Sequence, residues 1–507
     1  MTDNFYALLA ARFASQPDAV CLETPSGARH TFADLDAETA RYARLLAGLG
    51  LHRGDRVAVQ VEKSPGALFF YLGCLRAGLS YLPLNTAYRD LEVEYFLEDA
   101  QPGLMVCAPQ RLAALQRLAG AQRVAHVRTL DAAGEGSLYQ EARDLEPHYP
   151  VENVSADDIA VILYTSGTTG RPKGAMITHG NLAANALTLH KAWGWRPGDV
   201  LLHALPIFHI HGLFVACHGA LLNASKMLFH PRFDAAAVRR ALPGATVFMG
   251  VPTYYTRLLA DPAFGKETCR NMRLFTCGSA PLLPQTFHEF RERTGHTILE
   301  RYGMTETGMN TSNPLDGPRL PGTVGPPLPG VAVRIVDNAG NDVAPGEVGE
   351  LLVKGNNVFK GYWRMPEKTA EEFTADGYFH TGDLARMDDN GYVSIVGRAK
   401  DLIISGGFNV YPKEIESYID KLPGVIESAV IGVPHPDFGE AVVAVVVRSV
   451  SDTSLSEAAV IAALKDRIAG FKVPKRVFLA AELPRNTMGK VQKNLLREQY
   501  VKLFARR

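Results

Sequence analysis

The sequence predicts an α/β fold: a large N-terminal domain of doubly wound sheets, a small β subdomain, and a small α+β domain at the C-terminal end. Three observations predict it. Over residues 1–395 short apolar runs alternate with helical patterns, the rhythm of parallel βαβ units. From about Gly330 that rhythm gives way to short alternating strands, with an Asp389-Asn390-Gly391 turn that suits a hairpin. After Gly397-Arg398-Ala399-Lys400 a mixed helix–strand pattern begins and runs for about 110 residues, a normal domain size.

The elements follow in order. Arg56–Val61 is rich in valine and reads as a buried strand, followed by a helical pattern over Ala67–Ala77. Thr246–Val251 and Tyr254–Leu259 repeat this pairing, as do Leu274–Cys277 and, after a loop, Phe287–Arg293. Val331–Val336 and Gly349–Val353 are strands of the β subdomain. In the last domain Lys413–Leu422 reads as a helix, and Ile426–Val433 and Ala441–Val447 read as strands. Ser454-Leu455-Ser456-Glu457 has the spacing of a capping box opening a further helix. The boundary falls between residues 397 and 398, giving domains 1–397 and 398–507.

Composition narrows the classes of function. The chain has 507 residues, too many for one core, so at least two domains are expected. It carries 53 lysines and arginines against 53 aspartates and glutamates. That balance gives no global attraction for nucleic acid or an anionic membrane. The six cysteines show no Cys-x-x-Cys pair and suit reduced thiols in a cytoplasmic protein. No stretch has the apolar length of a membrane span, the N-terminal residues lack the pattern of a secretory signal, and the terminal Phe504-Ala505-Arg506-Arg507 is not a peroxisomal address.

The chemistry is announced by Tyr164-Thr165-Ser166-Gly167-Thr168-Thr169-Gly170-Arg171-Pro172-Lys173-Gly174. It follows the apolar run Ile159–Leu163 and breaks into glycines, hydroxyls and a lysine. Free backbone N–H groups, hydroxyls and a cation are what a polyphosphate needs. The common P-loop spacing does not fit, because Lys173 lies three residues past Gly170 and precedes another glycine.

This segment resembles the phosphate loop of the acyl-adenylate-forming, ATP-dependent AMP-binding enzymes, which include acyl-CoA synthetases, carrier-loading adenylation domains and beetle-type luciferases. The resemblance extends through Glu300-Arg301-Tyr302-Gly303-Met304-Thr305-Glu306, Tyr378–Asp383, Gly397–Asp401 and Gly489-Lys490. It implies a distorted barrel for the β subdomain and a mobile C-terminal domain. It also implies roles. Thr165, Ser166, Gly167, Thr168, Thr169 and Gly170 would hold the β- and γ-phosphates, with Lys173 nearby. Glu306 would bind the magnesium that accompanies ATP, and Thr305 would donate to the α-phosphate. Ser279, Ala280 and Pro281 resemble the adenine wall after Gly278, with Tyr302 as the stacking ring, and Glu300, Arg301, Gly303 and Met304 complete the nucleotide segment. Asp383 would grip the ribose hydroxyls, assisted by Arg398. Lys490 would bridge the α-phosphate and the acid carboxylate. The hinge maps to Lys400, and Gly406 and Gly407 would let backbone approach the pantetheine arm of coenzyme A.

The acyl pocket is the remaining question. Ala204–Leu213 matches the family's acyl segment, with His209 as the gating and catalytic position, and Gly278 and Ser279 border the same pocket. Arg257 stands among apolar and aromatic neighbours about one turn into a helix. Either it holds an anion such as a second substrate carboxylate, or it points to solvent or pairs with Asp261 at i+4. The stretches Phe208–Phe214, Gly250–Leu259 and Thr305–Asn313 look like the malonyl-CoA synthetase branch. By that similarity Arg257 would bind the distal carboxylate of a dicarboxylic acid, and Ile210 and Met309 would crowd its α-carbon. Ile210 is bulkier than the small residue expected there, which bears on tolerance of 2-substituted malonates. The expected reaction joins malonate and CoA at the expense of ATP, releasing AMP and diphosphate. A ligase for another short, aryl or medium-chain acid, or a carrier-protein-loading enzyme, would use the same first step. Acetylation of Lys490 by a lysine acetyltransferase would delete the charge the reaction uses.

Lys490→Ala is expected to abolish adenylation almost completely and to spare thioester formation from pre-made acyl-adenylate. Assaying the two half-reactions separately checks it; equal loss of both contradicts the assigned role.

Overall fold

Short apolar strands are stable when covered on both faces, and inner strands of the two large sheets, such as Leu104–Cys107, Val247–Gly250 and Leu274–Cys277, are buried at every residue. The structure, a computed structural model, describes residues 2–165, 172–405, 408–449, 455–465, 467–486 and 489–504. Of the positions singled out above, Ser166, Gly167, Thr168, Thr169, Gly170, Gly406, Gly407 and Ser454 lie outside the described residues. The chain divides into two compact units: Met1–Ala332 with Val353–Phe379, and Val333–Leu352 with His380–Arg507.

The first unit holds both large sheets. One runs, in spatial order, Gly361–Tyr362, Lys173–Thr178, Ile159–Thr165, Ser80–Pro83, Arg56–Gln60, Leu104–Cys107 and His126–Thr129. The five strands from Ile159–Thr165 to His126–Thr129 pair in parallel, and the two at the other edge are antiparallel. The second sheet runs Gly308–Ser312, Ile298–Met304, Leu274–Cys277, Val247–Gly250, Val200–His203, Lys226–Phe229, Val20–Glu23 and Arg29–Thr31, parallel except at its two ends. The predicted βαβ pairs are present: Arg56–Gln60 leads to helix Pro65–Arg76, Val247–Gly250 to Pro252–Leu259, and Leu274–Cys277 to Pro284–Thr294.

Helix Pro65–Arg76 shows how the sequence makes such an element. Ser64 accepts the Ala67 N–H at 3.2 Å, and Pro65 occupies the first turn, where its missing N–H is harmless. Every residue from Ala67 to Arg76 is buried, so the helix is enclosed on all sides. Arg76 is tolerated there because its guanidinium meets the Asp36 carboxylate at 2.8 Å and the Tyr149 carbonyl at 2.8 Å.

Parallel strands end in loops at their carboxyl edge, where ligands of α/β sheets bind. In the second sheet Phe229, His203, Gly250 and Cys277 close successive strands, so residues 204–210 and 278–281 emerge at the same sheet edge, with the end of Val247–Gly250 between them. In the first sheet Thr165 ends its strand immediately before the glycine-rich segment.

The second unit contains most of a four-stranded sheet, Val331–Val336, Gly349–Gly355, Phe379–Met387 and Val393–Arg398, and a five-stranded sheet. Its central strand, Gly439–Arg448, pairs antiparallel with Val425–His435 and parallel with Arg476–Ala480. Side-chain alternation fills both faces: Val442, Ala444 and Val446 join one apolar cluster, and Val443, Val445 and Val447 join another. The expected helix is observed as Pro412–Ile419. All six cysteines of the chain are buried and free. No helix among the described residues is long and apolar enough to cross a membrane.

Glu416 on that helix is a buried charge of the second unit. It accepts the Val430 N–H at 2.9 Å and the Lys493 ammonium at 2.6 Å. Burial works to raise its pKa, but Lys493, Lys413 and the hydrogen bonds outweigh burial and hold it below the usual glutamate value of 4.5. A depressed native pKa contributes stability above that value and loses it as pH falls through the native one. Glu416→Ala is therefore expected to destabilise the protein by about 2–4 kcal/mol near neutral pH. Urea unfolding of wild type and variant checks it, with the difference shrinking as pH falls below 4.5.

Candidate active site

The flanks of the glycine-rich segment are tied down on both sides. Tyr164 donates its phenol to Asp99, and Tyr95 donates to the Pro172 carbonyl at 2.8 Å, so helix Asp90–Ala100 braces both ends. Thr165 donates its hydroxyl to Glu306 at 3.2 Å, and Tyr362 donates to the same carboxylate oxygen at 3.3 Å. Glu306 is buried, and its carbonyl accepts the Phe359 N–H at 2.7 Å. Lys173, also buried, lies 4.1 Å over the Tyr362 ring and pairs with Glu372 at 3.2 Å. Lys173 thus shares its charge with a carboxylate 199 residues away that the sequence reading did not single out.

The acyl segment meets the 278–281 and 300–309 segments in the same unit. His209 is half-buried and accepts the His211 N–H at 3.3 Å, while Ile210 and Met309 are fully enclosed. Residues His211–Cys217 form a wide π-helical turn. His211 Nδ1 lies 3.2 Å from the Ser279 hydroxyl. Burial, then the nearby Arg301 and His209 charges, push the His211 pKa well below the usual histidine range. Ser279 itself has φ +70°, a left-handed backbone that a non-glycine residue adopts at a cost. Arg301 is 3% exposed, and among the described residues its Nε and Nη2 have no hydrogen-bond partner. A Cβ on Gly278 would stand 2.3 Å from the Arg301 Nη1, so only glycine fits beside the guanidinium. Desolvation lowers the Arg301 pKa to about 10, which leaves it charged at neutral pH.

The other expected positions of this unit are placed as follows. Tyr302 is half-buried beside a register shift at Gly303, where a Cβ would meet the Gly308 carbonyl at 2.1 Å. Glu300 is buried, Met304, Thr305 and Ala280 are half-buried, and Pro281 is exposed. Of the readings left open for Arg257, exposure is the one observed, because Tyr255, Leu258 and Leu259 take the inner face of helix Pro252–Leu259. It does not pair with Asp261, whose carboxylate meets Arg239 at 2.6 Å.

In the second unit Asp383 and Arg398 face each other across an antiparallel pair, with a 2.8 Å contact between carboxylate and Nε. Asp383 is 4% exposed; its N–H donates to Thr381, which donates to the Leu351 carbonyl at 2.7 Å. Lys400 is exposed in a short turn, Ala399–Asp401, pinned by Asp401 to Arg497 at 2.6 Å. Lys490 follows Gly489, whose φ is +73°, and its N–H donates to Asn486 at 3.0 Å. Although Lys490 is an exposed residue, its ammonium is pushed below the ordinary lysine pKa, by lost solvation and then by Arg398, with Asp383 and Asp401 opposing and Lys400 reinforcing.

A family model described as AMP-binding enzyme matches residues 9–363. The chain belongs to the AMP-binding enzyme family. A second model, the AMP-binding enzyme C-terminal domain, matches residues 414–490. The chain is 53% identical to ATP-bound MatB from Rhodopseudomonas palustris, with a TM-score of 0.97 over 99% of this chain and 100% of that one. It is 39% identical to the mitochondrial malonate–CoA ligase ACSF3 of Mus musculus over 83% of this chain and 77% of the relative. It is 37% identical to a feruloyl-CoA synthase of an Amycolatopsis species, over 94% of each. The enzyme is an AMP-forming acid–CoA ligase that uses ATP and CoA.

Sequence reasoning missed Tyr362, Glu372 and His211. Tyr362 lies in a Gly361-Tyr362-Trp363 run whose aromatic content was the one available signal. Tyr362→Phe removes a donor from Glu306 and is expected to raise the KM for ATP about tenfold with little change in thermal midpoint. Initial rates against ATP at saturating acid check it.

Proposed function

We propose that the enzyme makes malonyl-CoA from malonate, ATP and CoA through a malonyl-adenylate. The observation that carries this reading is the buried Arg301 guanidinium with two unpartnered nitrogens beside Gly278, Ser279 and His211. An unpaired cation in an enclosed site favours an anionic ligand, and a guanidinium matches a carboxylate. A monocarboxylic acid spends its carboxylate on ATP; a dicarboxylic acid has one left for Arg301. Arg257 supplies a second cation from the exposed side of its helix, whose Tyr254 donates to the Ala204 carbonyl at 3.3 Å. The names of several relatives, the malonate–CoA ligases among them, favour the same acid.

In the first step a malonate oxygen attacks the α-phosphorus, the bond to the bridging β-phosphate oxygen breaks, and diphosphate leaves. In this reading Thr165 and the glycine-rich segment hold the outer phosphates, Thr305 donates to the α-phosphate, and Tyr302 with 278–281 encloses adenine. Asp383 takes the ribose hydroxyls, oriented by Arg398, and Lys490 offsets charge on the attacking and α-phosphate oxygens. Lys490 has a lowered pKa yet stays close to charged neighbours that can hold it in place. In this reading Glu306 would hold the magnesium that accompanies ATP. Bound magnesium would supply charge to the phosphate oxygens. In the second step the CoA sulfur attacks the acyl carbon, its proton passes to solvent, and the carbon–oxygen bond to AMP breaks. Movement about Lys400, with Gly406 and Gly407 admitting pantetheine, would separate the steps. Ile210 and Met309, both buried, leave little room for an α-substituent. The free cysteines suit a reducing compartment, the cytoplasm in this reading.

Diphosphate release is expected to show a higher kcat/KM for malonate than for hexanoate, 4-coumarate or methylmalonate. Arg301→Met is expected to lower the malonate value about a hundredfold. Preference for hexanoate or 4-coumarate discards the dicarboxylate reading.

A further inference from the structure

Lys63 is buried, 7% exposed, and among the described residues makes no ion pair. Its ammonium lies 2.6 Å from His203 Nδ1, 3.0 Å from the His203 carbonyl and 4.2 Å over the Phe229 ring. On the far side of the imidazole, Nε2 lies 2.9 Å from the Gly212 carbonyl and 3.3 Å from the Cys217 sulfur. A carbonyl only accepts, so Nε2 carries the hydrogen. Nδ1 of the neutral ring then holds the lone pair, which Lys63 fills as donor. Lys63 therefore selects the one tautomer that can hold Gly212.

The placement gives this relay a purpose. Lys63 follows the strand Arg56–Gln60 of one sheet, and His203 ends the strand Val200–His203 of the other. Gly212 and Cys217 sit near the two ends of the π-helical turn that carries His211, the residue facing Ser279. A Cβ on Gly212 would stand 2.0 Å from the Pro206 carbonyl, so the segment doubles back tightly on itself. Wide turns of this kind recur at functional sites and need outside support. Burial pushes the Lys63 pKa down to about 7, with Cys217 opposing. Amine and ammonium both have hydrogens enough for the two His203 acceptors, so the brace survives either state.

We infer that Lys63 is a positioning residue for the acyl pocket: through His203 it holds the Gly212 carbonyl, and with it Ile210 and His211, where a small dicarboxylic acid fits. The inference rests on the proposed acid specificity for its substrate and on the contacts above for its mechanism.

The test is a split between substrates. Lys63→Met is expected to raise the KM for malonate about tenfold or more while the KM for ATP stays within about twofold and the thermal midpoint holds. His203→Gln, whose amide nitrogen can still donate to Gly212, is expected to keep most of the malonate affinity, and His203→Phe to lose it. Lys63→Met combined with His203→Phe is expected to be no worse than His203→Phe alone, because both act through one contact. Equal rises in both KM values, no rise in either, or additive losses overturn the inference. Should Lys63→Met fail to fold, the His203→Gln and His203→Phe pair decides. Should the wild type not use malonate, the malonate reading fails, and the same ratios taken with the acid it does use still decide the role of Lys63.

Discussion

Taking a guanidinium out of water costs several kcal/mol unless its hydrogens find acceptors, and Arg301 is enclosed with two nitrogens lacking any among the described residues. The surroundings are shaped around that charge. Gly278 has no side chain because none fits; Ser279 accepts a left-handed backbone as the loop turns past it; His211 is kept neutral beside it. The fold tolerates such a group where a ligand repays the desolvation, and in the proposed reading an acid with a second carboxylate does so. Preset charge of this kind stabilises a bound anion without waiting for solvent to rearrange.

The same economy governs the residues that the proposed reading gives to the nucleotide. Glu306 receives two hydroxyl donors, Lys173 is shared between Glu372 and the Tyr362 face, and Asp383 is fixed by Arg398 and Thr381. Each of these charged groups has its orientation set by a neighbour. A site prepared in this way holds reacting atoms at short range and gains much of its rate from geometry. Lys490 stands apart: it ends a tight turn and is crowded by charges of both signs.

How much of this was legible in the sequence depended on the distance between partners. The runs Tyr164–Gly174 and Glu300–Glu306 could be read because their chemistry is contiguous, and the strand Gly439–Arg448 because an unbroken apolar run marks it. The partner of Lys173 lies 199 residues away and that of Lys63 lies 140 away, so no local pattern announces either. Arg257 was left between two readings for a related reason. Apolar neighbours on a helix of eight residues say that one face is buried, not which residue turns outward. Arg301 was visible only as a letter of the nucleotide segment; its enclosure against Gly278 is a tertiary fact.

The most direct test of the account compares malonate with its monomethyl ester, which keeps the reacting carboxylate and neutralises the other. With Arg301 holding the distal carboxylate, the kcat/KM for AMP formation should fall about a hundredfold or more on esterification. Values within about threefold of each other would contradict it.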